Sequence, residues 1–358
     1  MAAEDHNSVP DVMNVAVYYN NRDVRLETRP VPAIGSREIL VKIMASGICG
    51  SDVMEWYRIK KAPIVLGHEI TGVVVKTGSE VKRFSPGDRV FVTHHVPCNT
   101  CAYCAEGLHT VCDTLRTTTF DPGGFSQYVR VPEINVDRGT LKLPDEVSFE
   151  DGSFIEPLGC VWRAQQRMAR LQPGWSVLVL GAGISGLLHV ALAKALGAGR
   201  IMATDVNEYR LEAARAAGAD KVIHAGQDVP AWVRKVNDGR GARLVLVCAG
   251  ALSVYKQALE SVDRGGTVLV FAPTDPGVEF PIPINTLWQD GVTWTQSYGA
   301  GPADCAAALS LIRHNRVPVQ SLITHRLPLS GTGRGFSLVS GAAGEDSIKV
   351  LIMPHEVI

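Results

Sequence analysis

The sequence has very little net charge. Its 358 residues include 35 Lys and Arg against 36 Asp and Glu, which gives a formal net charge of −1 at pH 7. The densest basic stretch is RIKK, at Arg58–Lys61. Proteins that bind nucleic acid or an anionic membrane surface through charge carry a basic patch, so the composition argues against both functions.

Apolar runs long enough to span a membrane are also lacking. The first residues, MAAEDHNSVPDVMN, carry acids where a signal peptide carries bases, so we expect a cytoplasmic protein. The content of 46% hydrophobic and 20% charged residues is typical of a globular enzyme. A chain of 358 residues suits two domains better than one.

Cysteines are present but clustered, and a disulfide scaffold is not expected in a cytoplasmic protein. Four of the eight cysteines lie in one short stretch, CNTCAYCAEGLHTVC, with the spacing C-x2-C-x2-C-x7-C. Thiolates this close repel one another unless a cation neutralises them. Four sulfurs complete a tetrahedral zinc site and leave no position for a substrate. We therefore predict a structural zinc, in preference to an iron–sulfur cluster or unrelated thiols, at Cys98, Cys101, Cys104 and Cys112.

The hydrophobic pattern changes along the chain. From residue 14 to about 150, short alternating stretches such as EILVKIMAS and ITGVVVKTG predict a β-rich, barrel-like domain. From about residue 162 to 297, helical and strand patterns alternate, which predicts a parallel sheet covered by helices. The last sixty residues contain a helical stretch, DCAAALSLIRHN, and a strand, SIKVLIMP, that we expect to return to the first domain.

A dinucleotide-binding turn lies in SVLVLGAGISGLLHVALAKALGAGRIMATD. An apolar strand precedes the GxGxxG glycines and an apolar helix follows them. The first glycine permits the tight turn, the second lets the backbone approach a pyrophosphate, and the third lets the helix pack on the strand. The helix N-terminus offers N–H groups to the phosphates. The predicted cofactor-binding residues of this turn are Gly181, Gly183, Ile184, Ser185 and Gly186.

Asp205 ends the next predicted strand, at about the distance that the ribose-binding acid of such folds requires. Its carboxylate would accept hydrogen bonds from the adenosine ribose hydroxyls and repel a 2′-phosphate. Arg210 alone would favour NADP, but beside an intact acid we expect it to support the ribose. The sequence therefore predicts NAD as the cofactor.

A second group of possible metal ligands lies in CGSDVMEWYRIKKAPIVLGHE. Cys49, His68 and Glu69 would form an open zinc site, which catalysis requires because substrate must occupy a position on the metal. Each residue also has a simpler interpretation: a small buried thiol, a hydrogen-bonded turn histidine and a surface charge. The spacing leaves both interpretations open.

The order of the motifs resembles that of the zinc-dependent medium-chain alcohol dehydrogenases. GICGSDVMEW, GHEITGVVV, PGDRV, the four-cysteine stretch, EPLGC and GAGISG follow one another over nearly the whole chain after about residue 13. CGSDV and the EPL glutamate are most similar to the polyol dehydrogenases, of sorbitol or iditol type, and to their threonine and glucose dehydrogenase relatives.

The resemblance implies an α/β fold in three segments. The first is a β-rich, GroES-like catalytic domain at residues 1–155, with the structural zinc lobe at 98–112. The second is a Rossmann domain at 156–297, in which a doubly wound parallel sheet binds NAD. Residues 298–358 then return to the catalytic domain.

The resemblance also implies the roles of individual residues. Cys49, His68 and Glu69 would surround the catalytic zinc, with Glu156 as a fourth and exchangeable ligand. Ser51 would pass the alcohol proton towards the nicotinamide ribose. Many relatives carry a histidine three positions after this hydroxyl residue, whereas this chain has Met54, so the outer part of the proton relay is not accounted for. Two zinc ions per chain and NAD are the expected cofactors.

Smaller expectations concern the residues around these sites. Asp52 is expected to orient a ligand histidine. His94 and His95, just before the cysteine lobe, could reach the cleft, but a structural role is expected for them. His189, in the helix after the glycine turn, is expected to be a packed or half-exposed helix residue. An edge of the parallel sheet is expected at GTVLVFAP. A partner subunit would cover that edge, and the resemblance favours a tetramer over a dimer.

The sequence therefore predicts an NAD-dependent zinc dehydrogenase acting on a secondary alcohol or polyol. One departure weakens the case for sorbitol itself, because the stretch GVTWTQSYGAG lacks the arginine that sorbitol-type enzymes place near the end of the sheet. A cyclic or other non-sugar secondary alcohol and L-threonine are alternative substrates. A zinc-free reductase and a non-catalytic nucleotide sensor are the other hypotheses, and the ligand set argues against both.

Overall fold

A computed structural model describes residues 9–356. These residues divide into two compact units. The first contains the described chain up to Pro157, together with Ala300–Arg313 and the residues from Val319 onward, and the second contains Leu158–Gly299 and His314–Pro318. None of the helices in the described range combines the length and the apolar character needed to cross a bilayer.

The first unit is built on β-strands. It has a three-stranded sheet of order β2-β1-β4 and a seven-stranded sheet in which β15-β16-β3-β5-β6-β8 are neighbours in that order and β7 pairs with β3. The strands are β1 (Val12–Asn20), β2 (Asp23–Pro30), β3 (Ile39–Gly47), β4 (Ile64–Val65), β5 (Glu69–Thr77), β6 (Arg89–Thr93), β7 (Tyr128–Val131), β8 (Thr140–Lys142), β15 (Ile323–Pro328) and β16 (Lys349–Met353).

The core of the larger sheet explains why these segments pair. Alternate residues of β3, among them Ile39, Val41 and Ile43, are fully buried and pack against Ile70 and Val74 of β5. Period-two alternation places these side chains on one face of the sheet, which is the pattern that the sequence predicts. The predicted strands in this region are therefore confirmed, including the last one, at SIKVLIMP.

Helices of the first unit are short and connect the strands. A 3₁₀ turn, Gly50–Val53, follows β3. The α-helices are α1 (Glu55–Arg58), α2 (Ala102–Ala105), α3 (Asp113–Thr117), α4 (Glu133–Arg138), α5 (Phe149–Gly152), α6 (Ile155–Trp162, which continues past Pro157 into the second unit), α12 (Pro302–Arg313) and α13 (Thr332–Val339).

The second unit is a six-stranded sheet of order β11-β10-β9-β12-β13-β14, and all its neighbouring strands are parallel. In chain order this is 3-2-1-4-5-6, the order of doubly wound dinucleotide-binding sheets, so the predicted fold class is confirmed. The strands are β9 (Ser176–Leu180), β10 (Arg200–Asp205), β11 (Lys221–His224), β12 (Ala242–Val247), β13 (Val262–Val270) and β14 (Thr293–Gln296). The helices are α7 (Ile184–Ala195), α8 (Glu208–Ala217), α9 (Val229–Val236), α10 (Leu252–Ser261), α11 (Ile284–Asp290) and a π-helix (Arg163–Met168).

The expected sheet edge at GTVLVFAP is wrong. This stretch belongs to β13, which lies between β12 and β14, so β14 forms the edge instead. The strand β14 has only four residues, TWTQ, of which none is fully buried. A strand this short carries no clear periodicity, which is why the sequence does not reveal it.

Candidate metal centres and cofactor loop

The four cysteines of the predicted lobe converge. The Sγ atoms of Cys98, Cys101, Cys104 and Cys112 all lie within 4.8 Å of one another. The separations of 3.9 Å between Cys98 and Cys104 and of 3.6 Å between Cys112 and Cys98 are far longer than a disulfide bond. A group of four sulfurs at these distances fits a closed tetrahedral zinc site.

Backbone N–H groups point at the sulfur of Cys98, as thiolate ligands require. The amides of Thr100 and Cys101 lie 3.4 and 3.3 Å from its Sγ. Hydrogen bonds from Thr100 and Cys101 lower the pKa of the Cys98 thiol to about 5, which favours its thiolate form. A metal site needs such a thiolate, because the thiol form is a poor ligand.

Cys49, His68 and Glu69 form the second group, again with ligand atoms within 4.8 Å of one another. Strand pairing brings them together: β3 and β5 are antiparallel, and Gly47 at the end of β3 lies opposite Glu69 at the start of β5. Cys49 therefore follows β3 by two residues while His68 precedes β5 by one. From the sequence, the convergence of Cys49, His68 and Glu69 is predicted only through the family resemblance. The register of the β3–β5 pairing is its physical cause.

Asp52 holds the imidazole of His68 from one side. Its Oδ1 lies 3.4 Å from Nδ1 of His68, and its Oδ2 accepts a hydrogen bond from the Cys49 amide at 3.1 Å. Burial raises the pKa of the Asp52 carboxyl, but the neighbouring His68 and Arg58 outweigh it and hold that pKa below its usual value. An ionised carboxylate on Nδ1 leaves Nε2 of the ring for a metal, a common arrangement around ligand histidines.

Glu69 is paired with a buried lysine that the sequence analysis missed. Lys349 of β16 forms an ion pair with Oε2 of Glu69 and also donates to the carbonyl oxygen of Ile48 at 3.1 Å. Within residues 9–356, Oε1 of Glu69 is buried and has no hydrogen-bond partner. An orphaned carboxylate oxygen beside a thiolate and an imidazole fits a metal ligand. No sequence signal could have found Lys349, which is 280 residues away.

Ser51 contacts a second side chain that the sequence analysis did not single out. Arg58 donates to the carbonyl oxygen of Ser51 through Nε at 2.9 Å and to its hydroxyl through Nη2 at 3.0 Å. The same Nη2 lies 3.4 Å from Oδ1 of Asp52. The guanidinium therefore fixes the turn after Cys49, whereas the thioether side chain of Met54 carries no group that could relay a proton.

Glu156, by contrast, is not brought into the Cys49 group. It is buried in the first turn of α6, but its carboxylate does not lie within 4.8 Å of the ligand atoms of all three other residues. Burial raises the pKa of the Cys305 thiol well above its usual value, and the charges of Glu156 and Asp304 add to the effect. Glu156 thus lies near Cys305, and its role as a ligand stays a prediction.

His94 and His95 lie against His68. The ring centres are 4.8 Å apart for His68 and His94 and 3.7 Å apart for His94 and His95. Burial lowers the pKa of His94 well below its usual value and lowers that of His95 to about 3, so both rings are neutral. His189, in contrast, is fully buried against Gln165 and Phe271 in the second unit and is a packed helix residue, as predicted.

The glycine turn has the geometry that its sequence predicts. Gly181 has a φ of +99°, which a side chain would strain, and Gly183 is the N-cap of α7. A Cβ at Gly186 would overlap the carbonyl oxygen of Gly181, whereas a Cβ at Gly183 would meet nothing within 4 Å. Ile184 and Ser185 open α7, so their N–H groups belong to the first helical turn, which lacks partners inside the helix.

Asp205 ties the glycine turn to the end of β10. Its Oδ2 accepts a hydrogen bond from the Ala182 amide at 2.7 Å, and its Oδ1 accepts one from the Asn207 amide at 2.9 Å. Both oxygens keep a lone pair for further donors such as ribose hydroxyls. Arg210 lies in the first turn of α8, where its backbone N–H donates to Asn207 Oδ1 at 3.3 Å.

Comparison with known proteins gives two family matches. Residues 35–145 match the alcohol dehydrogenase GroES-like domain, and residues 185–314 match the zinc-binding dehydrogenase family. The chain is 37% identical to the sorbitol dehydrogenase of Bacillus subtilis (strain 168), over 77% of this chain and 80% of the relative. It is 32% identical to the sorbitol dehydrogenase of Mus musculus, over 94% of each chain.

A solved structure is similar over nearly the whole length. It is that of a protein predicted to be a zinc-binding dehydrogenase, from Sinorhizobium meliloti 1021, with NADP bound. The TM-score is 0.86 at 26% identity, and the match covers 96% of this chain and 100% of that chain.

Two glycine substitutions should separate folding from cofactor binding. Gly186→Ala forces a Cβ into the Gly181 carbonyl, so we expect a loss of about 2 kcal/mol in the free energy of unfolding. Gly183→Ala has space for its methyl group, so it should unfold near the wild-type temperature but bind the dinucleotide about tenfold or more weakly, because the methyl blocks the pyrophosphate. Thermal melts and cofactor titrations measure both. Unchanged cofactor affinity in Gly183→Ala would contradict the role of the loop.

Proposed function

Because the chain belongs to the zinc-dependent medium-chain alcohol dehydrogenases, on the sorbitol dehydrogenase branch, we propose that it interconverts a secondary hydroxyl of a polyol and the corresponding ketone. The observation that carries the proposal is the meeting of Cys49, His68 and Glu69 where β3 ends and β5 begins. A complete dinucleotide turn in the second unit supplies the hydride acceptor site. Sorbitol dehydrogenases among the relatives favour a polyol over L-threonine or a cyclic alcohol.

Two zinc ions per chain are proposed, one in each group of ligands. The four-cysteine site is closed and structural, whereas Cys49, His68 and Glu69 leave room for substrate, with Glu156 as an exchangeable fourth ligand. Cys49, His68 and Glu69 would hold a zinc that supplies Lewis-acid polarisation to the alcohol oxygen, and the glycine turn would hold a nicotinamide cofactor that supplies the hydride acceptor. Eight unbridged thiols suit a reducing compartment, so we place the protein in the cytoplasm, which cell fractionation tests.

The charges around the open site keep it suited to this chemistry. Lys349 neutralises Glu69, and among residues 9–356 no ion pair with a cation is formed by Cys49, which would bind a metal as the thiolate. Asp52 keeps Nε2 of His68 directed away from its own carboxylate. A divalent ion held by few net negative charges retains more of its own positive charge towards a bound oxygen.

Ser51 is proposed to accept the alcohol proton at Oγ and to release its own hydroxyl proton. Arg58 fixes this hydroxyl in place, since Nη2 donates to Oγ at 3.0 Å. A guanidinium has donors and no acceptor, so the proton of Ser51 cannot leave through Arg58. The proton would therefore leave Ser51 towards the ribose of a bound cofactor or towards water, and Met54 takes no part in this transfer.

The cofactor is proposed to be NAD, although the Sinorhizobium meliloti relative was solved with NADP. The buried Asp205 carboxylate, bonded to two backbone amides, sits at the end of β10, where a 2′-phosphate would meet its negative charge. Within residues 9–356, no basic side chain forms an ion pair with Asp205, so no paired cation offsets the repulsion.

Turnover across a panel of alcohols tests the function. We expect reduction of NAD with sorbitol and other polyols, followed by nicotinamide absorbance. Cys49→Ala should abolish the rate and remove one zinc equivalent, because the open site loses its thiolate. Cofactor affinity, which depends on the other unit, serves as the control and should not change. A Cys49→Ala protein that remains active, or a wild type that binds NAD but oxidises no alcohol, would contradict the proposal and favour a nucleotide sensor.

Cofactor preference gives a separate test. We expect kcat/KM for NAD to exceed that for NADP by about a hundredfold, as electrostatic repulsion from a buried carboxylate predicts. Asp205→Ser should narrow the ratio by about tenfold or more. Asp220→Ser is the matched control. The Asp220 carboxylate also accepts a hydrogen bond from a backbone amide, that of Ile201 at 2.7 Å, but it does so at the start of β10, at the opposite end of the strand from Asp205. An unchanged ratio in Asp205→Ser would rule out the assigned role.

Association is proposed through the second unit, as a tetramer by resemblance or as a dimer. The helix α11, next to the edge strand β14, buries none of its side chains in this chain, and Trp288 and Ile284 are 79% and 71% exposed. A second copy covering them would remove this apolar surface from water. Trp288→Glu should therefore lower the mass of the assembly in light scattering. A wild type that is already monomeric would contradict the proposal.

A further inference from the structure

A cleft lies at the end of the second unit's parallel sheet that is opposite to the glycine turn. Its volume is about 510 Å³, and residues at or beside the first residues of β9, β10, β12 and β13 line it. These four strands are neighbours in the sheet. The glycine turn follows the last residue of β9, a strand that spans about 13 Å. The cleft is therefore separate from the proposed cofactor site.

The side chains that line this cleft carry an excess of positive charge. Three of them are arginines and two are aspartates: Arg200, Arg240, Arg243, Asp238 and Asp263. Arg240 pairs with Asp263 at 2.6 Å, and Arg200 lies 3.4 Å from the exposed Asp238. Within residues 9–356, Arg243 forms no ion pair, and its recorded side-chain contacts are with a carbonyl oxygen and a ring. One guanidinium charge is thus left without an acidic partner.

The guanidinium of Arg243 is held in place by groups that leave its charge unbalanced. Its Cζ lies 4.9 Å from the ring centre of Trp175, which is a cation–π contact. Its Nη1 donates to the carbonyl oxygen of Arg264 at 3.3 Å. A Cβ at Gly265 would lie 2.8 Å from the same Nη1, so the absence of a side chain there gives the guanidinium its space. The remaining N–H groups of this rigid fork can donate to a ligand.

The arginines narrow the charged part of that ligand. A guanidinium fork matches the oxygens of a phosphate or a carboxylate. A phosphate monoester offers three acceptor oxygens and a charge of about −1.5 to −2 at pH 7, so it can bind more than one arginine of the same cleft. A carboxylate has fewer oxygens and a single charge. The excess of guanidinium groups therefore favours a phosphate.

The size and the other polar groups of the cleft favour an organic ligand over a free ion. Sites for small organic molecules have volumes of about 300–1,000 Å³, a range that includes this cleft. Asn237 is also among the lining residues, and its Nδ2 donates to the carbonyl oxygen of Gly241 at 2.7 Å. Its Oδ1 accepts no hydrogen bond from any residue in the range 9–356, so this oxygen suits a ligand hydroxyl.

We propose that this cleft binds a phosphate monoester of a hydroxylated small molecule, with Arg243 as the main anchor of the phosphate. Sugar phosphates and nucleoside monophosphates share this chemistry. Arg200 and Arg240 line the same cleft and add to its positive charge. The ligand binds at the same time as the nicotinamide cofactor, because the two sites lie at opposite ends of β9. The inference is independent of the proposed function, since it uses no residue of the metal centres or the glycine turn.

Calorimetric titration of the full-length protein tests the site with glucose 6-phosphate as the probe. We expect glucose 6-phosphate to bind and glucose, which lacks the phosphate, not to bind. Arg243→Gln should raise the Kd for glucose 6-phosphate about tenfold or more, because a charged hydrogen-bond donor is lost. Arg243→Lys keeps the charge without the planar fork and should give an intermediate Kd. AMP, titrated into protein saturated with NADH, shows whether a nucleotide binds more tightly than a sugar phosphate.

Two further variants separate loss of the site from loss of folding. Asp263→Asn removes the carboxylate that pairs with Arg240, so it should lower the Kd for glucose 6-phosphate severalfold, a change that unfolding cannot produce. Arg215→Gln is the matched control. It removes another guanidinium of the second unit, on α8, which is paired with Glu208 and Glu212 outside the cleft, and it should leave the Kd unchanged.

Three results would overturn the site. The first is the absence of binding by both phosphate esters at millimolar concentration. The second is a Kd that Arg243→Gln leaves unchanged, which would place the phosphate elsewhere on the protein. The third is displacement of glucose 6-phosphate by NADH, which would place it at the glycine turn. A protein that oxidises no alcohol but binds the ester through Arg243 would contradict the proposed function and leave the site supported.

Discussion

The antiparallel pairing of β3 with β5 is the constraint on which the open site depends. It sets Gly47 opposite Glu69, and β16 pairs with the other side of β3, where Leu351 lies opposite Gly47. Three strands from distant parts of the chain thus meet at one residue without a side chain. A Cβ at Gly47 would overlap Glu69 Oε2 and lie 2.7 Å from Cε of Lys349. The ion pair, and with it the position of Glu69, therefore requires glycine here.

The buried charged side chains of the open site are paired with one another. The carboxylates of Asp52 and Glu69 are almost fully buried, and ions in such places must be paired. Arg58 forms an ion pair with Asp52, and Lys349 forms one with Glu69, so the charge of each carboxylate is balanced by a cation. Cys49 is left to bind a cation, and burial, which lowers the pKa of both His94 and His95, keeps these neighbouring rings from adding charge. In the proposed function, the metal therefore binds at Cys49, His68 and Glu69.

How far the sequence predicts this arrangement depends on how local each feature is. The four cysteines lie in one short continuous stretch, and in the structure their sulfur atoms converge. The glycine turn and Asp205 also lie in one continuous stretch, and there Asp205 accepts a hydrogen bond from the Ala182 amide of the turn. The contacts of Lys349, Arg58 and His94 depend on the folded chain and cannot be read from the sequence. Lys349 pairs with Glu69, Arg58 bonds to Ser51, and the ring of His94 lies beside that of His68. RIKK is a charge run in the sequence, whereas in the structure its first residue is bonded to Ser51. The four-residue strand β14 is too short to show a period, which explains the misplaced sheet edge.

Anomalous diffraction at the zinc absorption edge, on crystals of the purified protein, tests the central claim most directly. The account predicts two peaks in each chain: one among the sulfurs of Cys98, Cys101, Cys104 and Cys112, and one beside Cys49 Sγ and Nε2 of His68. The second peak should lie on the side of the His68 ring away from Asp52. A single peak in the four-cysteine lobe, or a metal on Nδ1 of His68, would contradict the proposed open zinc site.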